Sequence, residues 1–204
     1  MPLPTLVEAD HPDALADALT TTGACLVQGL APPTTLHALH ADLLRLRQAG
    51  ALLPAAVGRA QSRSQRADIR GDSTLWLDDP RCGIAASDYL AALDTLRLQL
   101  NQRLFLGLAE VEAHYAVYPA GSGYARHRDR FRDSDARVLS LVSYFNHDWA
   151  PAHGGALRLH LEQGAIDIEP QAGLSVCFLS ELEHEVLPAT RERLSIAAWM
   201  RRAP

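Results

Sequence analysis

The chain has 204 residues, 48% of them hydrophobic and 21% charged, with a formal net charge of -5. That length suits one domain, and a chain of this size buries roughly 70% of its unfolded surface without needing disulfides or a structural metal. The apolar fraction excludes disorder, the mildly acidic balance argues against nucleic-acid binding, and no apolar run nears the ~20 residues of a membrane span. The start, Met1-Pro2-Leu3-Pro4, lacks a basic region before an apolar stretch, so no secretory signal is expected. Cys25, Cys82 and Cys177 are odd in number and far apart in sequence, which argues against a disulfide framework and for the cytoplasm. There is no lysine, so chemistry by a lysine amine is excluded.

The first half reads as mostly helical. A short helix is expected over 12–20, stopped near Gly23, followed by a strand over 24–27. Thr34 or Thr35 can cap a helix to about Ala49, with Leu36, Leu39, Leu43 and Leu46 on one stripe and Gly50 as its stop. Residues 54–66 show no usable period and read as a long loop, the kind that serves as a lid. Two short strands around Gly71 are expected over 68–77. Ser87 can cap a further helix, along which Leu90, Leu93, Leu96, Leu100 and Leu104 recur.

After Gly107 the pattern changes to short strand-like runs at 111–118, 137–145, 156–161, 165–168, 174–179 and 194–200. Turn clusters such as Pro119-Ala120-Gly121-Ser122-Gly123 separate them. Many short strands without intervening helices predict an α+β fold: a double-stranded β-helix, or jelly-roll barrel, buttressed by the N-terminal helices. The whole chain, 1–204, is expected to form one domain, with 1–107 as support, lid loop and flanking strands and 108–201 as the jelly-roll core.

Histidine followed two residues later by Asp or Glu occurs at His11/Asp13, His40/Asp42, His127/Asp129 and His160/Glu162. Nine histidines give about one such pair by chance, so geometry must choose among them. On a helix, i and i+2 diverge, which disqualifies His40/Asp42; His11/Asp13 sits at a helix start. On a strand they share a face, leaving His127/Asp129 and His160/Glu162. From Arg126 the sequence reads Arg-His-Arg-Asp-Arg-Phe-Arg, and strict alternation throws His127, Asp129 and Phe131 to one side and the four arginines to the other. A His–Asp hydrogen bond on a solvated strand is the competing reading; an inward pair would instead need something to bind. The outward arginines are expected to pair with Asp133 and Asp135.

His184 is the natural third ligand, because two imidazoles and one carboxylate on one side of a metal are the donor set of mononuclear non-haem iron(II) oxygenases. Nine residues further on, Arg193-Leu194-Ser195 puts Arg193 and Ser195 on one strand face. An inward arginine is an expensive buried charge that a bound carboxylate would resolve.

The order His-x-Asp, a distant His, then Arg nine residues later resembles the iron(II)- and 2-oxoglutarate-dependent dioxygenases. The closer likeness is to the prolyl 4-hydroxylase branch, which holds the hypoxia-type prolyl hydroxylases and their bacterial relatives. The stretches that carry it are Asp68-Ile69-Arg70-Gly71-Asp72 with Trp76, Tyr118-Pro119, and Gly123-Tyr124-Ala125-Arg126-His127. Further on come Tyr144-Phe145-Asn146 with Trp149, Gly154-Gly155-Ala156-Leu157-Arg158, Ile168-Glu169-Pro170 and Trp199.

The resemblance implies Fe(2+) on His127, Asp129 and His184, and 2-oxoglutarate with its C5 carboxylate on Arg193 and Tyr144 and Tyr118 nearer the iron. It implies O2 as oxidant, L-ascorbate as reductant, succinate and CO2 as products, and no catalytic side chain beyond the iron ligands. It places Tyr124, Arg137, Trp199, Asp72 and Arg70 in the substrate pocket, with an Asp72–Arg137 salt bridge between the lid base and the barrel mouth. The implied partner is a protein or peptide presenting a proline, elongation factor Tu being the first to try. Two alternatives stay open: the same chemistry on a free amino acid or small metabolite, and a cupin-like metal-binding sensor without turnover.

Overall fold

The structure, a computed structural model, describes residues 4–55, 69–130 and 134–203. Its elements are β1 (Leu6–Glu8), α1 (Pro12–Thr22), β2 (Ala24–Gln28), α2 (Pro33–Gln48), β3 (Leu53–Pro54), β4 (Ser73–Trp76) and α3 (Ile84–Leu104). There follow β5 (Leu108–Tyr118), β6 (Tyr124–His127), β7 (Arg137–Tyr144), β8 (Leu157–Leu161), β9 (Gly164–Ile168), β10 (Ser175–Leu179), β11 (Glu183–Val186) and β12 (Arg193–Arg202). Eight strands form a large sheet in the order β1-β2-β10-β7-β12-β5-β4-β3, and four form a small one, β6-β11-β8-β9. The result is the expected double-stranded β-helix, left open between two sheets rather than closed into a barrel. Among the described residues, no helix is long and apolar enough to cross a membrane.

Alternation along the large sheet divides the interior in two. Tyr115 and Val117 of β5, Leu139 and Leu141 of β7 and Ile196, Ala198 and Met200 of β12 face the helices, where Leu39, Leu43, Leu93, Leu96 and Leu100 meet them. Each such leucine, fully buried, contributes about 2 kcal/mol relative to exposure. The opposite face, with Ala116, Tyr118, Tyr144, Val176 and Phe178, looks across to Leu157, Leu159, Ile166 and Ile168 of the small sheet. The functional residues lie in this second space. The helices therefore rigidify the sheet from behind and leave its other face for chemistry.

Several local expectations give way to tertiary contacts. Helix α2 starts at Pro33, with Pro32 rather than a threonine at its cap, because proline's fixed φ suits the first turn. Helix α3 starts three residues before Ser87. Its cap is Gly83, whose N–H donates to the buried carboxylate of Asp42 on α2 at 2.9 Å. Around Gly71 the described residues form only an isolated bridge, Arg70 to Tyr124, and strand β4. Strands β1, β3 and β11 fall outside the expected runs. Most of the 54–66 loop lies outside the described residues, apart from Pro54, which pairs in β3, and Ala55. Cys25 and Cys177, distant in sequence, face each other across β2 and β10 as free thiols.

Candidate active site

Three side chains converge at the rim of the small sheet. Ligand-capable atoms of His127, Asp129 and His184 all lie within 4.8 Å of one another. His127 Nε2 is 3.6 Å from Asp129 Oδ1, and His184 Nε2 is 3.5 Å from Asp129 Oδ2. His127 Nδ1 donates to the Ala125 carbonyl at 2.8 Å, and His184 Nδ1 to that of Leu182 at 2.9 Å. A carbonyl only accepts, so each Nδ1 carries the proton and each Nε2 presents a lone pair to the shared centre. Burial lowers the His184 pKa, with Asp129 opposing, which keeps that ring neutral. Burial works to raise the Asp129 carboxyl, yet its polar surroundings hold it well below the usual range, so it stands as a carboxylate. Two imidazoles with Nε2 turned inward and one carboxylate fit a divalent transition metal.

The way these residues arrive differs from the strict alternation expected. His127 and His184 are register partners, as are Tyr124 and Val186, so three steps on β6 match two on β11. This bulge brings Tyr124 and His127 to the same side, where their rings stack with centroids 3.6 Å apart. Strand β6 ends at His127, and Asp129 follows in a bend, not on a continued strand. Ser140 of β7 holds it, donating to Oδ2 at 2.7 Å, while Arg130 N–H donates to the Ser180 carbonyl at 2.9 Å. Arg126 and Arg128 pair with Glu183, and Arg130 with Glu181; Asp135 takes Arg202 instead. Phe131, Arg132 and Asp133 lie outside the described residues. His160 pairs with Glu185 on the small sheet, away from this centre.

Deeper between the sheets lies Arg193, 1% exposed, at the start of β12. Its Nε donates to the Gly155 carbonyl at 2.9 Å and its Nη1 to Ser195 Oγ at 3.1 Å. Gly155 has φ 72, and a Cβ there would sit 2.9 Å from Ala189 and 3.0 Å from Trp149, so only glycine lets this carbonyl reach the guanidinium. Arg193 Nη2 and Tyr144 Oη have no hydrogen-bond partner among the described residues, although both are buried. The guanidinium carbon is 5.0 Å from the Tyr144 ring and 5.3 Å from that of Tyr118. Burial pushes the Tyr144 hydroxyl up to about 12, against the Arg193 charge, so it remains a donor. An unpaired buried cation beside an unpaired hydroxyl is a receptor for a carboxylate.

A third group forms the wall above the metal cluster. Arg70 grips Asp72 with both ends, Nε to Oδ1 at 2.7 Å and Nη2 to Oδ2 at 2.9 Å, and lies 4.9 Å over the Tyr124 ring. Asp72 thus takes Arg70 and not the expected Arg137, which pairs with Glu112 at 2.6 Å and stacks 3.7 Å over the Trp199 ring. Arg70 is two residues away along the chain, and Glu112 sits opposite Arg137's end of the sheet, so each guanidinium takes its nearer carboxylate. Trp199 Nε1 is the third buried polar atom without a partner among the described residues.

Residues 113–201 match the family model of the 2OG-Fe(II) oxygenase superfamily. A prolyl-4-hydroxylase of Pseudomonas putida is 45% identical across 94% of this chain and 100% of its own, with a TM-score of 0.85. The chain belongs to the 2OG-Fe(II) oxygenases, in their prolyl hydroxylase branch. A Trichoplax adhaerens prolyl hydroxylase, solved with a fragment of the hypoxia-inducible factor oxygen degradation domain, is 27% identical over 95% of this chain and 90% of that one, with a TM-score of 0.83. A viral collagen prolyl hydroxylase from Paramecium bursaria Chlorella virus-1, solved with 2OG, shares the fold at 15% identity and TM-score 0.64. The protein is accordingly a 2-oxoglutarate-dependent dioxygenase of the prolyl hydroxylase type.

Sequence reasoning missed two residues of this dioxygenase site. Ser140 gave no signal, because its partner Asp129 arrives by a loop. His114, against the wall beside it, did give one: alternation along β5 puts it, after Glu110 and Glu112, on the face that continues through Ala116 and Tyr118.

Proposed function

We propose that the protein hydroxylates a prolyl residue of a partner protein, with His127, Asp129 and His184 holding Fe(2+). Arg193 and Tyr144 would take the C5 carboxylate of 2-oxoglutarate, and Tyr118 would flank the end nearer the metal. The observation that carries this reading is the pair of unpartnered buried donors, Arg193 Nη2 and Tyr144 Oη. A metal-binding sensor has no use for that pair. When bound, iron and cosubstrate supply oxygen activation, coupled to conversion of 2-oxoglutarate to succinate and CO2.

The chain's own contribution is orientation and exclusion of water. Nδ1 hydrogen bonds to Ala125 and Leu182 fix both imidazole planes, and Ser140 fixes one carboxylate oxygen. The Gly155 carbonyl and Ser195 hydroxyl hold the guanidinium so that its free N–H faces the space beside Tyr144. The wall of Arg70, Asp72, Tyr124, Arg137 and Trp199 would receive the prolyl segment, and the Trp199 N–H offers a donor to a peptide carbonyl.

Purified protein with Fe(2+), ascorbate and 2-oxoglutarate should form succinate, and His184→Ala should lose both metal content and succinate formation. Undiminished turnover in that variant would remove the metal assignment. Mass spectrometry of lysate from cells with and without the gene should reveal a proline gaining one oxygen; elongation factor Tu is the first target to inspect. Oxygen appearing only on free proline or another small molecule would replace the protein target.

A further inference from the structure

His114 lies in the middle of β5, 4% exposed, and takes no part in the metal or cosubstrate sites. Its Nδ1 is 3.0 Å from the Tyr115 carbonyl, which can only accept, so Nδ1 carries the proton. The lone pair of Nε2 then faces Arg70 Nη2 at 3.5 Å. The imidazole also lies between two indoles, perpendicular to Trp76 and tilted to Trp199, with ring centroids 5.2 Å from each. Trp76, on β4, is an exposed large hydrophobic residue beside this wall. The groups facing His114 are thus Trp76 of β4, Arg70 and Asp72 of the segment before it, Arg137 of β7 and Trp199 of β12.

These contacts form a chain towards the metal centre. His114 meets Arg70, Arg70 lies over Tyr124, and Tyr124 stacks on His127. We infer that His114 is the positioning residue of the substrate mouth, a buried neutral imidazole that sets the Arg70 guanidinium and the Trp76–Trp199 pair for the incoming peptide. The inference rests on the reading that this wall receives a prolyl segment. A charged imidazole would turn an N–H towards the Arg70 N–H and place a second cation between Arg70 and Arg137. Burial and Arg70 hold its pKa down to about 4, so the ring stays neutral at ordinary pH.

The test separates capture of the peptide from binding of the cosubstrate. In the iron-loaded full chain, His114→Leu is expected to raise the KM for a prolyl peptide about tenfold while the KM for 2-oxoglutarate moves less than twofold. His114→Gln, whose amide oxygen can accept from Arg70, should recover most of that loss. A second measurement needs no substrate: the nitrogen NMR shifts of His114 at neutral pH should report the Nδ1–H tautomer. Equal loss of both KM values, no recovery by glutamine, or an Nε2–H ring would each overturn the role. Peptide hydroxylation undiminished in His114→Leu would overturn this inference alone. Absence of peptide hydroxylation in the wild type would first overturn the prolyl reading, and this inference with it.

Discussion

Two guanidiniums, one buried at the floor of the site and one half-buried at its mouth, are treated in opposite ways. Arg193 holds a carbonyl and a serine hydroxyl but no carboxylate, and its Nη2 has no partner among the described residues. Arg70 is clamped by both oxygens of Asp72 and packs over Tyr124. A buried charge left short of an anion is stabilised only when an anionic ligand arrives, whereas a charge already paired serves as scaffold. The floor is therefore built to bind and the mouth to hold a shape. Neither role follows from the residue type, since both are arginines inside the same fold.

The contrast can be broken most sharply from the mouth. Asp72→Asn keeps the side-chain shape but strands the Arg70 charge; unfolding free energy is expected to fall by about 4 kcal/mol, read by urea denaturation. A change under ~1 kcal/mol would mean the pair is no scaffold.

Acid should act through the same wall. The His114 pKa, about 4, lies below the ordinary 6.5, because burial and the Arg70 charge disfavour its protonated form. The unfolded chain then binds more protons between those values, so this contribution to stability is complete above pH 6.5 and is lost as pH falls towards 4. The loss is on the order of 3 kcal/mol, and His114→Gln should abolish that part of the pH dependence.

The floor should respond the other way. Arg193→Met is expected to raise the apparent Kd for 2-oxoglutarate by roughly 30-fold, about 2 kcal/mol, by isothermal titration of the metal-loaded protein. Its ligand-free stability should change by less than about 1 kcal/mol, because a buried charge without a carboxylate leaves together with its hydrogen bonds to two neutral acceptors. Wild-type affinity in this variant would remove Arg193 from cosubstrate binding. At the smallest scale, Arg158→Ala breaks only an exposed pair with Asp167 on the outer face of the small sheet. Its expected effect on stability is below about 0.5 kcal/mol.

Much of this was legible before the structure. Short strand-like runs between turn clusters found most strands of the two sheets, and stop signals with leucine stripes at helical spacing found the three α-helices among the described residues. The spacing of Arg193 and Ser195 placed both on the inner face of β12, where they meet. What failed did so where a contact from elsewhere outweighed local preference. Asp42, from another helix, sets the start of α3; a bulge, invisible to alternation, brings Tyr124 onto His127; and Asp129 leaves the strand because Ser140 and Ser180 capture its bend.

By itself the sequence determined the chemical inventory and its order: two imidazoles, one carboxylate and a distant arginine, enough to name an iron oxygenase. Only the tertiary structure decided which carboxylate each arginine takes, and which donors remain without one. Local order depends on neighbours along the chain, which a sequence displays. Ion pairing and satisfaction of buried donors depend on distances between strands far apart in it, and those exist only once the sheets have closed on each other.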